Sequence, residues 1–182
     1  EVNDAPAVTA DNTFVTVDES ETAINSGTLF DPDSDTVTLT ASVGTVVDNG
    51  DATWSWSFAT TDGPDDGQTV TITATDSDGA ASTVSFDLTV NNVAPAVAAD
   101  NAAVTVDEGE AATNAGTFSD VGEDIVTLGA SIGTVTDNGD GTWGWSFATA
   151  DGPDDSQTVT ITATDSDGAL ATTTFDLTVS NV

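Results

Sequence analysis

An internal repeat is the feature that most constrains how this chain can fold. The residues QTVTITATDSDGA at 68–80 recur unchanged at 157–169, an offset of 89 positions. The same offset aligns Trp54 with Trp143 and needs no gap along the chain. Self-similarity of this kind predicts tandem copies of one domain. We therefore predict a linker at 1–4, a first repeat at 5–93 and a second at 94–182, and we expect the chain to be part of a longer tandem array.

Within each repeat, apolar residues alternate with polar ones at the period of a β-strand. In VTITAT, for example, Val70, Ile72 and Ala74 face one way and the threonines face the other. The same pattern predicts inward side chains at Val15, Val17, Val37, Leu39, Ala41, Trp54, Trp56, Phe58, Phe86, Leu88 and Val90. No helical period separates these runs. The fold class is therefore all-β: two tandem Ig-like antiparallel β-sandwich domains of about seven strands each, arranged head to tail.

The charge of the chain excludes several classes of partner. There are 32 acidic residues, 26 of them Asp, and no Lys, Arg or His. A chain without basic side chains cannot neutralise phosphates, so nucleic acid and direct contact with anionic membranes are excluded. Carboxylates here can pair only with backbone N–H groups, hydroxyls, amides or bound cations. Asp is typical of turns and of oxygen-rich cation loops.

The predicted up-and-down strand order brings acidic loops to both ends of each repeat. At a head-to-tail junction, the end of the first repeat would meet the start of the second. The first repeat would contribute Glu19, Asp62, Asp65, Asp66, Asn91 and Asn92. The second would contribute Asp120, Glu123, Asp124, Asp137, Asp140, Asp165 and Asp167. Carboxylates at this density repel one another, which favours a bound cation at the junction or very high salt.

Two loops have oxygen donors at alternate positions, the spacing of a cation loop. DPDSD offers Asp31, Asp33 and Asp35, and TDSDGA offers Asp76 and Asp78. Ca²⁺ takes 6–8 oxygens at about 2.3–2.6 Å. These residues are also ordinary turn formers, and both interpretations stay open, although the absence of basic residues favours Ca²⁺. DNGD is predicted to be a hairpin turn, and DGPDD is either a ligand loop or a turn set by proline.

The segment TATDSDGA…FDLTVNNVAP resembles the last two strands and the linker of bacterial Ig-like, PKD-like and cadherin-like repeats. VNDAPAV is similar to the cadherin linker. The resemblance implies Ca²⁺ ligands at Glu19 and Glu108, at Asp76 and Asp165, and at Asp31 and Asp33. In the second repeat only Asp120 and Asp124 remain of the D-x-D stretch, with Glu123 added. The D-R-E motif and the PKD hallmark are absent, and the linker reads Asn91-Asn92.

The resemblance implies an extracellular or cell-surface protein. We expect a structural repeat of a bacterial fibre, stalk or adhesin, with Ca²⁺ as the cofactor at the junctions. Its partners would be neighbouring repeats and, in a filament, lateral copies. Two alternatives remain: an adhesin module in which Phe14 or the Trp pairs contact a glycan or a protein, and a metal-free acidic spacer adapted to brine. No enzymatic activity is expected, because His, Cys, Lys, Tyr and Arg are all absent.

Overall fold

In the computed structural model, which describes residues 2–182, the chain divides into two compact units between Asn92 and Val93. The described residues form strands and turns and no helix. The strands of the first unit are β1 (Ala7–Ala10), β2 (Phe14–Asp18), β3 (Thr22–Phe30), β4 (Thr38–Ala41), β5 (Thr45–Asp48), β6 (Thr53–Ala59), β7 (Gln68–Thr75) and β8 (Ala81–Asn91). The strands of the second are β9 (Ala96–Ala99), β10 (Ala103–Asp107), β11 (Ala111–Ser119), β12 (Thr127–Ala130), β13 (Thr134–Asp137), β14 (Thr142–Ala148), β15 (Gln157–Thr164) and β16 (Leu170–Ser180).

Each unit is a sandwich of two four-stranded sheets. In the first unit the strand orders are β1-β3-β6-β5 and β2-β8-β7-β4, and the second unit repeats both. All pairs are antiparallel except β2 with β8 and β10 with β16, which are parallel. This is the Ig-like arrangement that the alternating pattern predicted, and the predicted fold class is confirmed.

The cores lie between the sheets, on the faces that the alternation predicted. Trp54, Ile72 and Phe86 are at most 2% exposed. The Trp56 and Phe86 rings meet edge to face, with centroids 5.0 Å apart, a geometry that aromatic pairs favour. The predicted inward residues of the shorter strands are partly buried and pack against this cluster. Because both Trp residues of the pair are core residues, the alternative in which the Trp pairs bind a glycan is wrong.

The first strand differs from the prediction, because it is broken into two pieces that join different sheets. β1 pairs with β3, whereas β2 crosses over and pairs with β8. The buried Asn25 side chain holds the crossing point. Its Nδ2 donates to the Asn12 carbonyl at 2.9 Å, and its Oδ1 accepts from Asn12 Nδ2 at 3.1 Å. Asn114 and Asn101 repeat these bonds in the second unit. Each unit therefore has eight strands, although only seven strand regions are visible in its sequence.

The predicted DNGD hairpin turns are confirmed. Asn49 N–H donates to the Thr53 carbonyl at 3.0 Å, and Gly50 has a φ of 79°, which glycine adopts without strain. The turn at residues 137–140 has the same hydrogen bond, from Asn138 to Thr142.

Candidate metal site

The strand directions place the acidic residues of one unit at two opposite ends. We call the end that holds residues 3–4, 31–35 and 76–78 the entry end, because the chain enters β1 there. The exit end holds Glu19, residues 61–66 and Asn91, where the chain leaves β8.

At the entry end of the first unit, three carboxylates converge. One carboxylate oxygen from each of Asp31, Asp33 and Asp35 lies within 4.8 Å of the other two. The loop has this shape because Asp31 Oδ1 accepts the backbone N–H groups of Asp33 and Asp35, at 2.9 and 3.1 Å. These bonds occupy Oδ1 and leave Oδ2 available, and Oδ2 is buried without a hydrogen-bond partner among the described residues.

The neighbouring loop adds a fourth carboxylate. Asp76 is 5% exposed, and its Oδ1 accepts N–H groups from Asp78 and Ala80 at 3.0 and 2.8 Å. Burial alone would raise the pKa of Asp76, but hydrogen bonds from Asn3 and from the backbone of its own loop outweigh that effect and lower the pKa below 3.8. The group is therefore an anion at neutral pH. Asp78 is exposed at the tip of this loop.

The segment that precedes β1 closes the entry end. Asn3 Nδ2 donates to Asp76 Oδ2 at 3.0 Å, and the Asp4 N–H donates to Asp33 Oδ2 at 2.7 Å. A cavity of about 190 Å³ remains, lined by Val2, Asn3, Asp33, Asp35 and Asp78. Asn3 Oδ1 is buried and has no hydrogen-bond partner within residues 2–182. Carboxylate and amide oxygens around a small cavity are the donor set that Ca²⁺ prefers.

Asn3 is a candidate ligand that the sequence analysis missed. The offset of 89 residues aligns it with Asn92, which the analysis did name. The repeat itself was therefore the signal that could have identified it.

At the exit end of the first unit, the structure brings Glu19 and Asp62 together, with carboxylate oxygens within 4.8 Å of each other. Glu19 is 2% exposed, and its Oε2 accepts the Gly63 N–H at 3.1 Å. The Glu19 N–H in turn donates to the Asn91 carbonyl at 3.0 Å. Asp66 instead closes its own turn by accepting the Thr61 N–H at 2.7 Å. Asp65 is exposed in the same turn and Asn92 is half-buried.

The second unit repeats this framework with its acidic residues at partly different positions. Gly122 stands where the first unit has Asp33, and Glu123, which replaces Ser34, is exposed. Asp124 Oδ1 accepts a hydrogen bond from the Ser166 hydroxyl, which connects the two loops as Ser77 and Asp35 do in the first unit. The remaining predicted ligands of this end are Asp120, which is half-buried, Asp165, which is buried, and Asp167, which is exposed.

Glu108 accepts the same backbone hydrogen bond as Glu19, but it is half-buried where Glu19 is buried. Its Oε2 accepts the Gly152 N–H at 3.1 Å, and its Oε1 accepts the Val182 N–H at 3.3 Å. The two hairpin-turn residues Asp137 and Asp140 accept hydrogen bonds from their own turns. The Thr142 hydroxyl and N–H lower the pKa of Asp140, so the DNGD loops satisfy their carboxylates locally.

Two consecutive eight-stranded Ig-like sandwiches with acidic ends are typical of tandem Ig-like repeat proteins. Comparison with known protein families gives the same class. A model of the bacterial Ig domain family matches residues 3–89 and again 91–178. The chain belongs to this family, as two consecutive members. The predicted resemblance to bacterial Ig-like tandem repeats is confirmed.

Solved structures support the fold alone. The titin domains Z1Z2, solved in complex with telethonin, are similar over 100% of both chains, with 18% identity and a TM-score of 0.56. The titin I-band fragment I67–I69 is similar over 99% of this chain and 67% of its own, with 14% identity and a TM-score of 0.47. No curated protein matches the chain.

Family membership gives a coarse functional class. Repeated Ig-like domains are structural or adhesion modules, and this family is typically non-enzymatic. Bacterial Ig domains are typically found in surface or extracellular proteins. The described part of the chain contains no helix that is long and apolar enough to span a membrane.

Proposed function

We propose that the chain is a structural repeat of an extracellular bacterial stalk, fibre or adhesin whose units bind Ca²⁺ through their acidic ends. One observation carries the proposal. At the entry end of the first unit, the three carboxylates of residues 31, 33 and 35 converge, and Asn3 lines the same cavity as Asp33 and Asp35. Two oxygens here, Asp31 Oδ2 and Asn3 Oδ1, are buried without a hydrogen-bond donor among the described residues.

Electrostatics supports a cation at this position. Carboxylates within 4.8 Å repel one another, and the chain has no Lys, Arg or His to offset that repulsion. A buried oxygen without a donor also costs free energy, because it has lost its hydration. One divalent cation would relieve both costs, since it would accept lone pairs from the amide and from the carboxylates together.

The position of Asn3 links this site to a mechanical role. Asn3 lies in the segment before β1, whereas the carboxylates lie on loops of the folded unit. An ion held by both would fasten the incoming chain to the unit. Asn92 stands at the equivalent position before the second unit. We therefore propose that Ca²⁺ reduces the freedom of each linker, which would stiffen a tandem array.

The test is thermal unfolding of the chain in EDTA and then in millimolar Ca²⁺, at fixed ionic strength. A ligand that binds only the native state stabilises it by RT ln(1 + [L]/Kd), about 2.7 kcal/mol at a hundredfold excess over Kd. We expect Ca²⁺ to raise the melting temperature and the Asp31→Asn variant to lose most of that rise. Asp100→Asn is the matched control, because Asp100 is exposed and is not one of the proposed ligands.

Two results would contradict the proposal. No rise with Ca²⁺ beyond the rise in matched KCl would favour the metal-free spacer adapted to brine. An equal rise in Asp31→Asn and wild type would place the ion elsewhere.

One observation favours an adhesin module as a second candidate. The outer face of β3, β6 and β5 carries a cavity of about 380 Å³ with exposed Ile24 and Val47 on its rim. Thr113 and Thr136 replace these two residues in the second unit, so this surface belongs to the first unit only. Phe14 is 71% exposed but lies on the other sheet. Reproducible binding in a glycan array, lost in Ile24→Thr, would favour this function.

A further inference from the structure

The two hairpin turns that the proposed function does not use contain the two Asn-Gly dipeptides of the chain, Asn49-Gly50 and Asn138-Gly139. In this dipeptide the glycine nitrogen can attack the amide carbon Cγ of the preceding Asn, because glycine has no Cβ to hinder the approach. Both Asn side chains are exposed. We propose that these turns are sites of spontaneous deamidation and that Asn138 is modified faster than Asn49.

The reaction needs no reagent other than water. The Gly139 nitrogen loses its proton and forms a bond to Asn138 Cγ, the bond from Cγ to Nδ2 breaks, and ammonia leaves. The product is a cyclic succinimide. Water then adds to one of its two carbonyls and opens the ring, which gives either Asp or isoaspartate. Each event adds one negative charge, and isoaspartate also inserts a methylene into the backbone at the tip of the hairpin.

Most features of the two turns are the same, so they cannot produce a difference in rate. Both sites read Asp-Asn-Gly-Asp. Gly50 N–H donates to Asp48 Oδ1 at 2.9 Å, and the corresponding bond from Gly139 to Asp137 is 2.8 Å.

The side-chain amides also share one contact. Asn49 Nδ2 donates to Thr53 Oγ1 at 2.9 Å, and Asn138 Nδ2 donates to Thr142 Oγ1 at the same distance.

One contact differs, and it involves the amide that must react. The Ser55 hydroxyl donates to Asn49 Oδ1 at 3.1 Å, so the Asn49 amide is held at both its oxygen and its nitrogen. Gly144 stands at the equivalent position in the second unit and has no side chain to donate. Among the described residues, the Asn138 amide is therefore held at its nitrogen alone. Since the amide must rotate toward the following nitrogen before ring closure, the additional bond should slow Asn49.

The expected difference in deamidation rate follows from the net free energy of one exposed hydrogen bond. If the Ser55 hydrogen bond raises the barrier to ring closure by that free energy, the rate changes roughly 2- to 10-fold. In the folded chain we therefore expect Asn138 to convert faster than Asn49 by about that factor. In denaturant the two rates should become equal, because the residues on either side of each Asn-Gly dipeptide are Asp at both sites.

The experiment is to incubate the folded chain at mildly alkaline pH and measure each site by peptide mass spectrometry. A protease that cleaves at aromatic residues is required, since the chain has no Lys or Arg for trypsin. The readout is the mass gain of amide-to-acid conversion. Isomerisation of Asp140, which also precedes a glycine, leaves the mass unchanged and does not interfere.

Two reciprocal variants exchange the contact that differs. Ser55→Gly should accelerate Asn49 to the rate of Asn138, and Gly144→Ser should slow Asn138. Both changes fit the fold, because each installs the residue of the other unit and a Cβ at Gly144 would meet no atom within 4 Å. Asn138→Gln should abolish the signal from the second turn.

Three outcomes would overturn the proposal: an equal or faster rate at Asn49 in the folded chain, rates that the reciprocal variants leave unchanged, or conversion that occurs only after denaturation.

Discussion

Gly116 offers a test of how closely the edge strand β9 and the Trp143 side chain pack against β11. It lies on β11, opposite Ala99 of the edge strand β9. A Cβ at this position would lie 2.0 Å from the Ala98 carbonyl oxygen and 2.5 Å from the Trp143 ring. Neither neighbour is a flexible side-chain end, because one is backbone and the other is a buried indole. Gly116→Ala should therefore push β9 and Trp143 apart.

The magnitude follows from these contacts. Overpacking of a well-packed core costs about 1–3 kcal/mol, and a clash with two rigid neighbours belongs at the upper end. Ala has a smaller backbone entropy than Gly in the unfolded chain, which offsets about 0.4–1 kcal/mol of this cost. We expect a net loss of roughly 2 kcal/mol, which for a unit of this size lowers the melting temperature by about 10 °C.

Gly129→Ala is the matched control in the same unit. Gly129 lies on β12, and a Cβ there would meet no atom within 4 Å. This variant should be neutral or slightly stabilising, because only the unfolded-state term remains. The assay is calorimetric unfolding of the full chain, with hydrogen exchange to locate the weakened strands. The packing argument is wrong if Gly116→Ala has the melting temperature of the wild type, or if both variants lose the same stability.

Two further variants test the polar contacts. Asn25→Ala should lower the free energy of unfolding by about 2–3 kcal/mol in urea titrations, because it leaves the Asn12 carbonyl and the Ser26 N–H without their partner. An unchanged midpoint would show that the crossing point does not depend on this side chain. Asp76→Asn should change how the stability of the folded chain depends on pH at low pH. The Asp76 pKa is lowered in the folded state, so its carboxylate stabilises the fold above about pH 4, and that stability is lost as pH falls through the lower folded pKa. Melting temperatures of the variant should therefore fall less between about pH 5 and pH 2 than those of the wild type, and parallel curves would contradict the assignment.

Much of the fold was predictable from the sequence, because the pattern of each strand is local. In QTVTITAT the alternation identifies Val70, Ile72 and Ala74 as core residues, and all three are fully buried. The repeat strengthened this interpretation, since the two copies keep the same inward residues. The candidate ligands Asp31 and Asp76 were also named from the sequence, because their loops carry oxygen donors at alternate positions.

Long-range contacts were not predictable in the same way. The break between β1 and β2 depends on Asn25, which contacts Asn12 across two strands, and one more Asn in a strand gives no local signal. Gly116 likewise resembles a weak strand residue, and only the approach of β9 and an indole explains it. Asn3 becomes significant only when the fold brings it beside Asp76.

The parallel pairing of β2 with β8 has a consequence for a unit that is pulled by its two ends. Tension would draw β2 toward the entry end and β8 toward the exit end, so the strands would have to slide lengthwise past each other. The pairs from Phe14↔Asp87 to Asp18↔Asn91 lie side by side along that direction. Their hydrogen bonds run across the pull and share the load, whereas in an unzipping geometry they would break one at a time. We therefore expect each unit to resist extension in shear through the pairing of its second and last strands.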